Sequence, residues 1–499
     1  MNILCFWHPD NPTDVYNELI RYFGSERFCY FYKEEKNQNL SLEAESESFY
    51  IYEPIEDFLT KCDNARAVEP ELIKALRKYE GEANSLIYRW RTTLLRTKEY
   101  AEIKDLFYRL VKYWNDYLDK NDIGLFILEC MPHIINEYIP YILCKEKGIK
   151  LIIADQLSMV KGMEAKTYFR TEIETIYPEF IAKYEKNIEY YSQNSKEEIS
   201  LPYDMEGYFE AYGDVQKRNE KTEKTVLITQ SKNSIFSLIV KRSSIYLRQK
   251  NFGKLTRKAR DFFTRGIAAK KLRNYVETLE CKPEENEKFV LFLLHYQPEA
   301  STCPQAGIFD NQEIAIDMLL DSLPEDVKLY VKEHPVYWTK RSDRGQFDDM
   351  RDYRSRAFYH RLASNKKVRL IEHSYKTKPL AGKALAVSSI NGTVIFENIF
   401  RKIPLIMFGN SFFSDMKGLR KISTLEQCRK AMDDIVQGKY EFATERDIAV
   451  FLKTIAEITV TGAPQYDDYK ALGEVIMTEE ENMQSILRGI INFYEYAYK

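Results

Sequence analysis

FVLFLLHYQPEAST at residues 289–302 and LYVKEHP at residues 329–335 decide how this chain folds. Residues 289–294 are a near-continuous apolar run, the pattern of a strand covered on both faces. The run breaks into His295, Tyr296, Gln297, Pro298 and Glu299. Residues 312–320 then carry apolar side chains at helical spacing and stop at Leu323-Pro324. Residues 327–331 form a second strand, which ends in Lys332, Glu333, His334 and Pro335. Open parallel sheets bind ligands beyond the carboxyl ends of their strands. Two successive strands with ionisable groups at those ends therefore mark a candidate site, although decorated surface loops would look the same.

Outward from this stretch the alternation continues. Strands are expected at 368–371, 384–387 and 404–407, with helices at 353–363, 377–382 and 393–400 between them, which is a Rossmann-like sheet. Upstream, IGLFILEC (123–130) reads as a buried strand ending in Met131-Pro132-His133. A helix over 134–147, Gly148 as its stop and a strand over 150–154 complete a βαβ unit. Residues 2–7 and 29–32 are further strands, 14–23 is a helix, and 55–119 is a helical region. Helices are also expected over 424–437, 444–458 and 479–498, the last packing back on the first domain.

The chain has 499 residues, more than one core usually serves. Its 44% hydrophobic and 30% charged residues exclude a disordered chain. A net charge of −3 gives no global case for nucleic acid. The eight cysteines are scattered and form no CxxC pair, and are read as reduced thiols of a cytoplasmic protein. The amino terminus lacks signal-peptide features, and no apolar run is long enough to span a bilayer, so membrane contact is expected to be peripheral at most. One segment suits that role. Residues 241–273 hold twelve Lys/Arg against the single acid Asp261, interleaved with aromatic and aliphatic residues. Such a segment suits an anionic membrane surface, and equally a solvated basic helix.

The turn Ser388-Ser389-Ile390-Asn391-Gly392-Thr393 follows a buried strand and opens a helix. Small residues let backbone N–H groups approach a ligand, so this is a candidate phosphate cradle, or an ordinary N-capped loop. Glu397, one turn along, could accept from ribose hydroxyls. Lys332 and His334 could stabilise a departing phosphate. Glu299 is the carboxylate nearest the first strand's end, suited to act as base or nucleophile in sugar transfer. No HExxH motif is present and the six histidines are far apart, so no catalytic metal and no cofactor are expected.

These residues resemble the bacterial capsule-polysaccharide biosynthesis proteins that include the Kdo transferases. The likeness is carried by LHYQPEAST, LYVKEHP and SSINGTVIFENIFRKIPLIMFGNSFF, with an echo in CMPHIINEYIPYILCKEKGIKLII (130–153). The resemblance implies a GT-B fold, two Rossmann-like domains facing a cleft: an acceptor domain over 1–171, a helical basic connection over 172–287, a nucleotide-sugar domain over 288–440 and C-terminal helices over 441–499. It implies a glycosyltransferase that moves Kdo or a related 2-keto sugar acid from CMP onto a surface glycan or glycolipid, at the inner face of the cytoplasmic membrane. Glu299 matches the family's acidic residue before Ala-Ser, the nucleophile of a retaining transfer. Gln297 matches the glutamine upstream of it. Lys332, His334 and Pro335 match a K-x-H-P motif at the nucleotide phosphate. Ser388, Ser389, Asn391, Gly392 and Thr393 match the small-residue turn, Glu397 the acid of its helix, and His133 would face the cleft from the acceptor side. The alternatives are a UDP- or GDP-sugar transferase, a glycerol- or ribitol-phosphate transferase, and a non-catalytic scaffold of a polysaccharide assembly complex.

Overall fold

The computed structural model describes residues 1–9, 11–32, 40–50, 55–94, 100–157, 165–173, 178–202, 205–207, 209, 267–268, 270–297, 301–334, 337–338, 353–465 and 477–499. Apolar strands that must be covered on both faces build two sheets here. The first joins β1 (Asn2–Phe6), β2 (Arg27–Tyr32), β3 (Glu45–Tyr50), β4 (Ile123–Leu128), β5 (Lys150–Leu157), β6 (Lys166–Arg170) and β13 (Val460–Thr461) in the order β13-β6-β5-β4-β1-β2-β3. Only β6 runs antiparallel to its neighbours. The second joins β7 (Lys288–Leu293), β8 (Val327–Lys332), β9 (Val368–Ile371), β10 (Ala386–Ser389), β11 (Leu405–Met407) and β12 (Arg420–Lys421) in the order β12-β11-β10-β7-β8-β9, parallel throughout.

In both sheets the first strand lies in the middle, and the chain winds first to one side and then to the other. The order therefore reverses between β1 and β4, and again between β7 and β10. Such a reversal parts the loops beyond the strand ends and leaves a crevice for a ligand. This is the α/β, GT-B-type pair of Rossmann-like sheets that the sequence leads one to expect.

Helices cover both faces of each sheet: α1 (Pro12–Phe23), α2 (Ile55–Asn64), α3 (Pro70–Leu76), α4 (Glu80–Leu94), α5 (Tyr100–Lys120) and α6 (Ile135–Lys147) in the first half, α7 (Pro178–Gln193) between the halves, and α8 (Gln312–Ser322), α9 (Arg356–Ser364), α10 (Thr377–Ala381), α11 (Thr393–Glu397), α12 (Leu425–Val436), α13 (Glu445–Ile458) and α14 (Glu479–Tyr498) after them. The aromatic stripe of α5, with Trp114 fully buried, packs with Phe6, Phe31 and Phe49 of β1, β2 and β3. The last helix returns to the first sheet. The Tyr498 hydroxyl bonds both the N–H and the carbonyl of Leu151 at 2.9 Å, and Tyr494 accepts from Lys150 at 2.7 Å.

The structure differs from expectation in places. The helix expected over 393–400 is a five-residue helix, α11, followed by a 3-10 turn at Ile399–Arg401. The Asn398 side chain donates to the Val394 carbonyl and closes α11 early. The helix after β8 starts at Arg356, because Ser355 caps it by accepting the Phe358 N–H at 3.1 Å. Most of the basic 241–273 segment lies outside the described residues. Among the described residues, no helix is long and apolar enough to cross a membrane.

Candidate functional site

The reversal between β7 and β10 gathers the candidate site. Ser389 lies opposite Leu293 in the parallel register, and its hydroxyl donates to the Leu293 carbonyl at 3.0 Å. Two residues past β7, His295 turns inward and is buried. Its backbone is clamped by Gln312 of α8, which accepts the His295 N–H at 2.9 Å and donates to its carbonyl at 3.4 Å. Its ring reaches under the turn after β10, where the Asn391 N–H donates to His295 Nε2 at 3.2 Å. Nε2 is therefore the acceptor, and the hydrogen-bond network assigns the ring proton to Nδ1. A Cβ at position 392 would sit 3.2 Å from that Nε2 and 3.3 Å from Ser389 Oγ, so a side chain there would have to push both groups back by a few tenths of an ångström.

The polar inventory at this turn is not filled by the protein. Ser388 Oγ, Ser301 Oγ and Asn391 Oδ1 are buried with no hydrogen-bond partner among the described residues. A buried polar atom left without a hydrogen bond costs about 1–3 kcal/mol, so the two at Ser301 and Asn391, residues joined by a hydrogen bond, suit a ligand or ordered water. The Asn391 amide nitrogen does have partners, the carbonyls of Ser301 and of Asn410.

A buried ion pair fixes the other side. Glu333 and Arg354 are bonded to each other with side chains only 4% and 2% exposed. Arg354 also donates to the His295 carbonyl and lies 4.7 Å over the Tyr337 ring. Glu333 accepts from Tyr359 Oη and from the His334 N–H, each at 2.8 Å. Burial alone pulls the Arg354 guanidinium down, but the Glu333 carboxylate outweighs it and holds the group above its ordinary value. One pair thus ties the ends of β7 and β8 together.

The expected residues divide. Ser389, Asn391 and Gly392 gather around His295 at the junction, whereas Ser388 is buried mid-strand opposite Phe292 and Thr393 is exposed. Because α11 spans only five residues, the turn's backbone and side chains, not a helix dipole, must do any anion binding. His334 sits beside Tyr296, ring centroids 6.1 Å apart. Lys332 goes elsewhere: its buried ammonium donates to the His373 carbonyl at 3.1 Å, past β9 and on the side of the sheet away from β10. Burial lowers its proton affinity, opposed by Glu280 and Glu333. Burial raises the Glu397 carboxyl, opposed by Lys378 and Arg401. Gln297 donates to the Asp310 carbonyl at 2.8 Å. Glu299 and Pro335 lie outside the described residues.

His133 belongs to the first sheet's reversal, beyond β4. Its Nδ1 is 2.9 Å from the Met131 carbonyl, 3.6 Å from Cys130 Sγ and 3.7 Å from Glu137 Oε2. Sequence reasoning placed His295 and Glu333 at the strand ends without giving either a role, and it missed Arg354. Arg354 stands 21 residues beyond Glu333, and no local pattern links the two.

Residues 151–443 match the model of a protein family described as "Capsule polysaccharide biosynthesis protein". No curated protein matches the chain. Among solved structures, it is similar to the UDP-GlcNAc 2-epimerase of Methanocaldococcus jannaschii, at 11% identity over 92% of this chain and 99% of that one, with a TM-score of 0.28. It is also similar to KpsC of Thermosulfurimonas dismutans, a beta Kdo 2,4 transferase, at 13% identity over 41% of this chain and 61% of that one, with a TM-score of 0.23.

Proposed function

The chain belongs to the capsule polysaccharide biosynthesis protein family, and we propose that it is a glycosyltransferase whose nucleotide-sugar donor sits at the carboxyl ends of β7 and β10. The observation that carries this reading is the pair of orphaned polar atoms, Ser301 Oγ and Asn391 Oδ1, beside the His295–Asn391 contact. A phosphate or hydroxylated sugar would satisfy them.

In this reading the donor is a CMP-activated 2-keto sugar acid, most simply CMP-β-Kdo, and the acceptor is a growing surface glycan or glycolipid. Glu299 attacks the anomeric carbon as the bond to the phosphate oxygen breaks, and CMP departs with the electron pair. The acceptor hydroxyl oxygen then displaces the Glu299 carboxylate, its proton passing to a base, so two inversions give net retention. His334 and the 388–393 turn stabilise the departing phosphate. Lys332, committed to the His373 carbonyl, contributes positive potential from behind the strand ends. The donor side of this chemistry needs no metal. The basic 241–273 segment docks the protein on the anionic inner face of the cytoplasmic membrane.

Thermal shift with CMP, UDP and GDP tests the donor. CMP alone is expected to stabilise the chain; a response to UDP or GDP instead replaces the donor, and no response to any nucleotide favours a scaffold. Turnover of CMP-Kdo should vanish in Glu299→Ala. An inverted anomeric product removes Glu299 as nucleophile.

A further inference from the structure

The first sheet carries a second cluster, of which the transfer reading involves only His133, on the acceptor side. β4 ends at Leu128, α6 begins at Ile135, and the connection between them places three ligand-type side chains together. Cys130 leaves the strand end, His133 precedes the helix, and Glu137 lies in its first turn. Their ligand atoms all lie within 4.8 Å of one another. Cys130 Sγ is 3.6 Å from His133 Nδ1, and that nitrogen is 3.7 Å from Glu137 Oε2. Donors bonded to one tetrahedral zinc-sized ion at about 2.0–2.3 Å stand roughly 3.3–3.8 Å from each other. The two separations through His133 already match this range, and with every pair inside 4.8 Å the third closes on an ion by a shift of at most about 1 Å.

We propose that Cys130, His133 and Glu137 form a binding site for one divalent, borderline-soft cation of the zinc class. Mixed sulfur, imidazole and carboxylate donors select such an ion over magnesium or calcium, which take oxygen. Three protein donors leave one tetrahedral position for water or a ligand hydroxyl. Thiolate and carboxylate together balance the two positive charges. The thiol proton is released to solvent as the sulfur–metal bond forms.

The surroundings support the assignment. Glu137 Oε2 accepts the N–H of His133 at 3.2 Å and of Ile134 at 3.4 Å, which orients the carboxylate as outer partners orient a metal ligand. Those two bonds would also serve a plain helix-start carboxylate, but they leave the convergence of sulfur and imidazole unexplained. His133 Nδ1 lies 2.9 Å from the Met131 carbonyl. Ion binding trades that contact for the metal bond and leaves the ring proton on Nε2. Glu129, whose carboxylate accepts from Gln465 Nε2 at 2.8 Å and the His8 N–H at 3.2 Å, adds negative potential close by. The cluster stands at the reversal between β1 and β4, where an open α/β sheet binds ligands. None of its members belongs to the donor site, so the assignment stands or falls apart from the transferase reading.

The test uses the full chain, stripped with a chelator and titrated with Zn2+ or Co2+. One equivalent of zinc per chain is expected by elemental analysis after gel filtration. The cobalt form should show tetrahedral d–d bands and a sulfur-to-cobalt charge-transfer band. Cys130→Ser should abolish that band, and Cys130→Ser and His133→Ala should each weaken zinc binding at least about a hundredfold, with circular dichroism unchanged. Glu299→Ala should bind zinc like the parent. Substoichiometric zinc, a cobalt spectrum with no thiolate band, or binding indifferent to Cys130→Ser and His133→Ala would overturn the site. The cobalt spectrum of the unsubstituted protein decides the question even if a variant fails to fold.

Discussion

Replacing Arg354 by methionine should be among the costliest single changes in the second half of the molecule. The guanidinium bonds Glu333 and the His295 carbonyl, and its side chain is 2% exposed. Methionine keeps the bulk over the Tyr337 ring but removes the charge. Glu333 is then left buried with only the Tyr359 hydroxyl and the His334 N–H as donors. Removing one partner of a buried pair costs about 3–5 kcal/mol, chiefly because the survivor is uncompensated. The lost bond at the His295 carbonyl adds little, since Gln312 Nε2 still donates there at 3.4 Å. Arg354→Met is therefore expected to destabilise by about 3–5 kcal/mol, a shift of roughly two to four decades in the folding equilibrium. Glu333→Met should cost a similar amount, because it strands the cation. The pair replaced together should cost less than the sum, by at least about 1 kcal/mol. Urea unfolding of the parent, both single variants and the double variant measures this, provided the slopes agree. Additive single costs, or a loss below about 1 kcal/mol for Arg354→Met, would refute the account of this pair as the tie between β7 and β8.

Four further outcomes are expected. A Cβ on Gly489 would lie 2.4 Å from the Phe169 ring, so Gly489→Ala should destabilise the α14 contact with β6 by about 1–3 kcal/mol, seen as earlier proteolytic release of α14; Gly81→Ala, in open space inside α4, should instead stabilise by about 0.4–1 kcal/mol. Tyr498→Phe removes both hydroxyl bonds to the Leu151 backbone and should cost about 1–2 kcal/mol in denaturant, and an unchanged midpoint would show that they are not formed in solution. Burial holds the Glu397 carboxyl above its ordinary value, so the folded chain binds its proton more tightly than the unfolded chain does. Its contribution is full below the usual carboxylate range near about pH 4.3 and is lost as pH rises through the raised value; Glu397→Gln should flatten stability against pH there, and an unaltered slope counts against the burial argument.

Much of this was legible in the sequence because buried parallel strands announce themselves. FVLFLL and IGLFIL have one reading, and the structure places β7 and β4 there. The strands that escaped notice are of another kind. Glu45–Tyr50 is ESESFY, an edge strand with polar residues at four of its six positions, and Lys166–Arg170 is KTYFR, stabilised by antiparallel pairing to β5. Edge and antiparallel strands carry weaker apolar signals, so only the partner strand reveals them. The metal-type cluster escaped for a different reason. Cys130, His133 and Glu137 match neither CxxC nor HExxH, and they follow a strand-to-helix connection whose donors converge only once α6 turns.

LYVKEHP shows why site residues are harder to read than strands. The lysine and the histidine look like phosphate ligands, and the acid between them looks incidental. A strand's side chains alternate, so Glu333 must point away from the side on which Lys332 lies. In the fold Lys332 reaches the His373 carbonyl, and Glu333 turns inward to Arg354. The carboxylate that holds Arg354 also accepts the His334 N–H at 2.8 Å, and Arg354 in turn grips the His295 carbonyl. His334 and His295 are therefore set by the same buried pair, one through its N–H and the other through its carbonyl. If His334 meets a leaving phosphate, Glu333 governs that contact without touching the ligand. A Glu333→Gln variant that keeps its fold should then lose turnover while nucleotide binding at the 388–393 turn survives. Equal loss of both would mean that the pair supports the whole junction and not the histidine in particular.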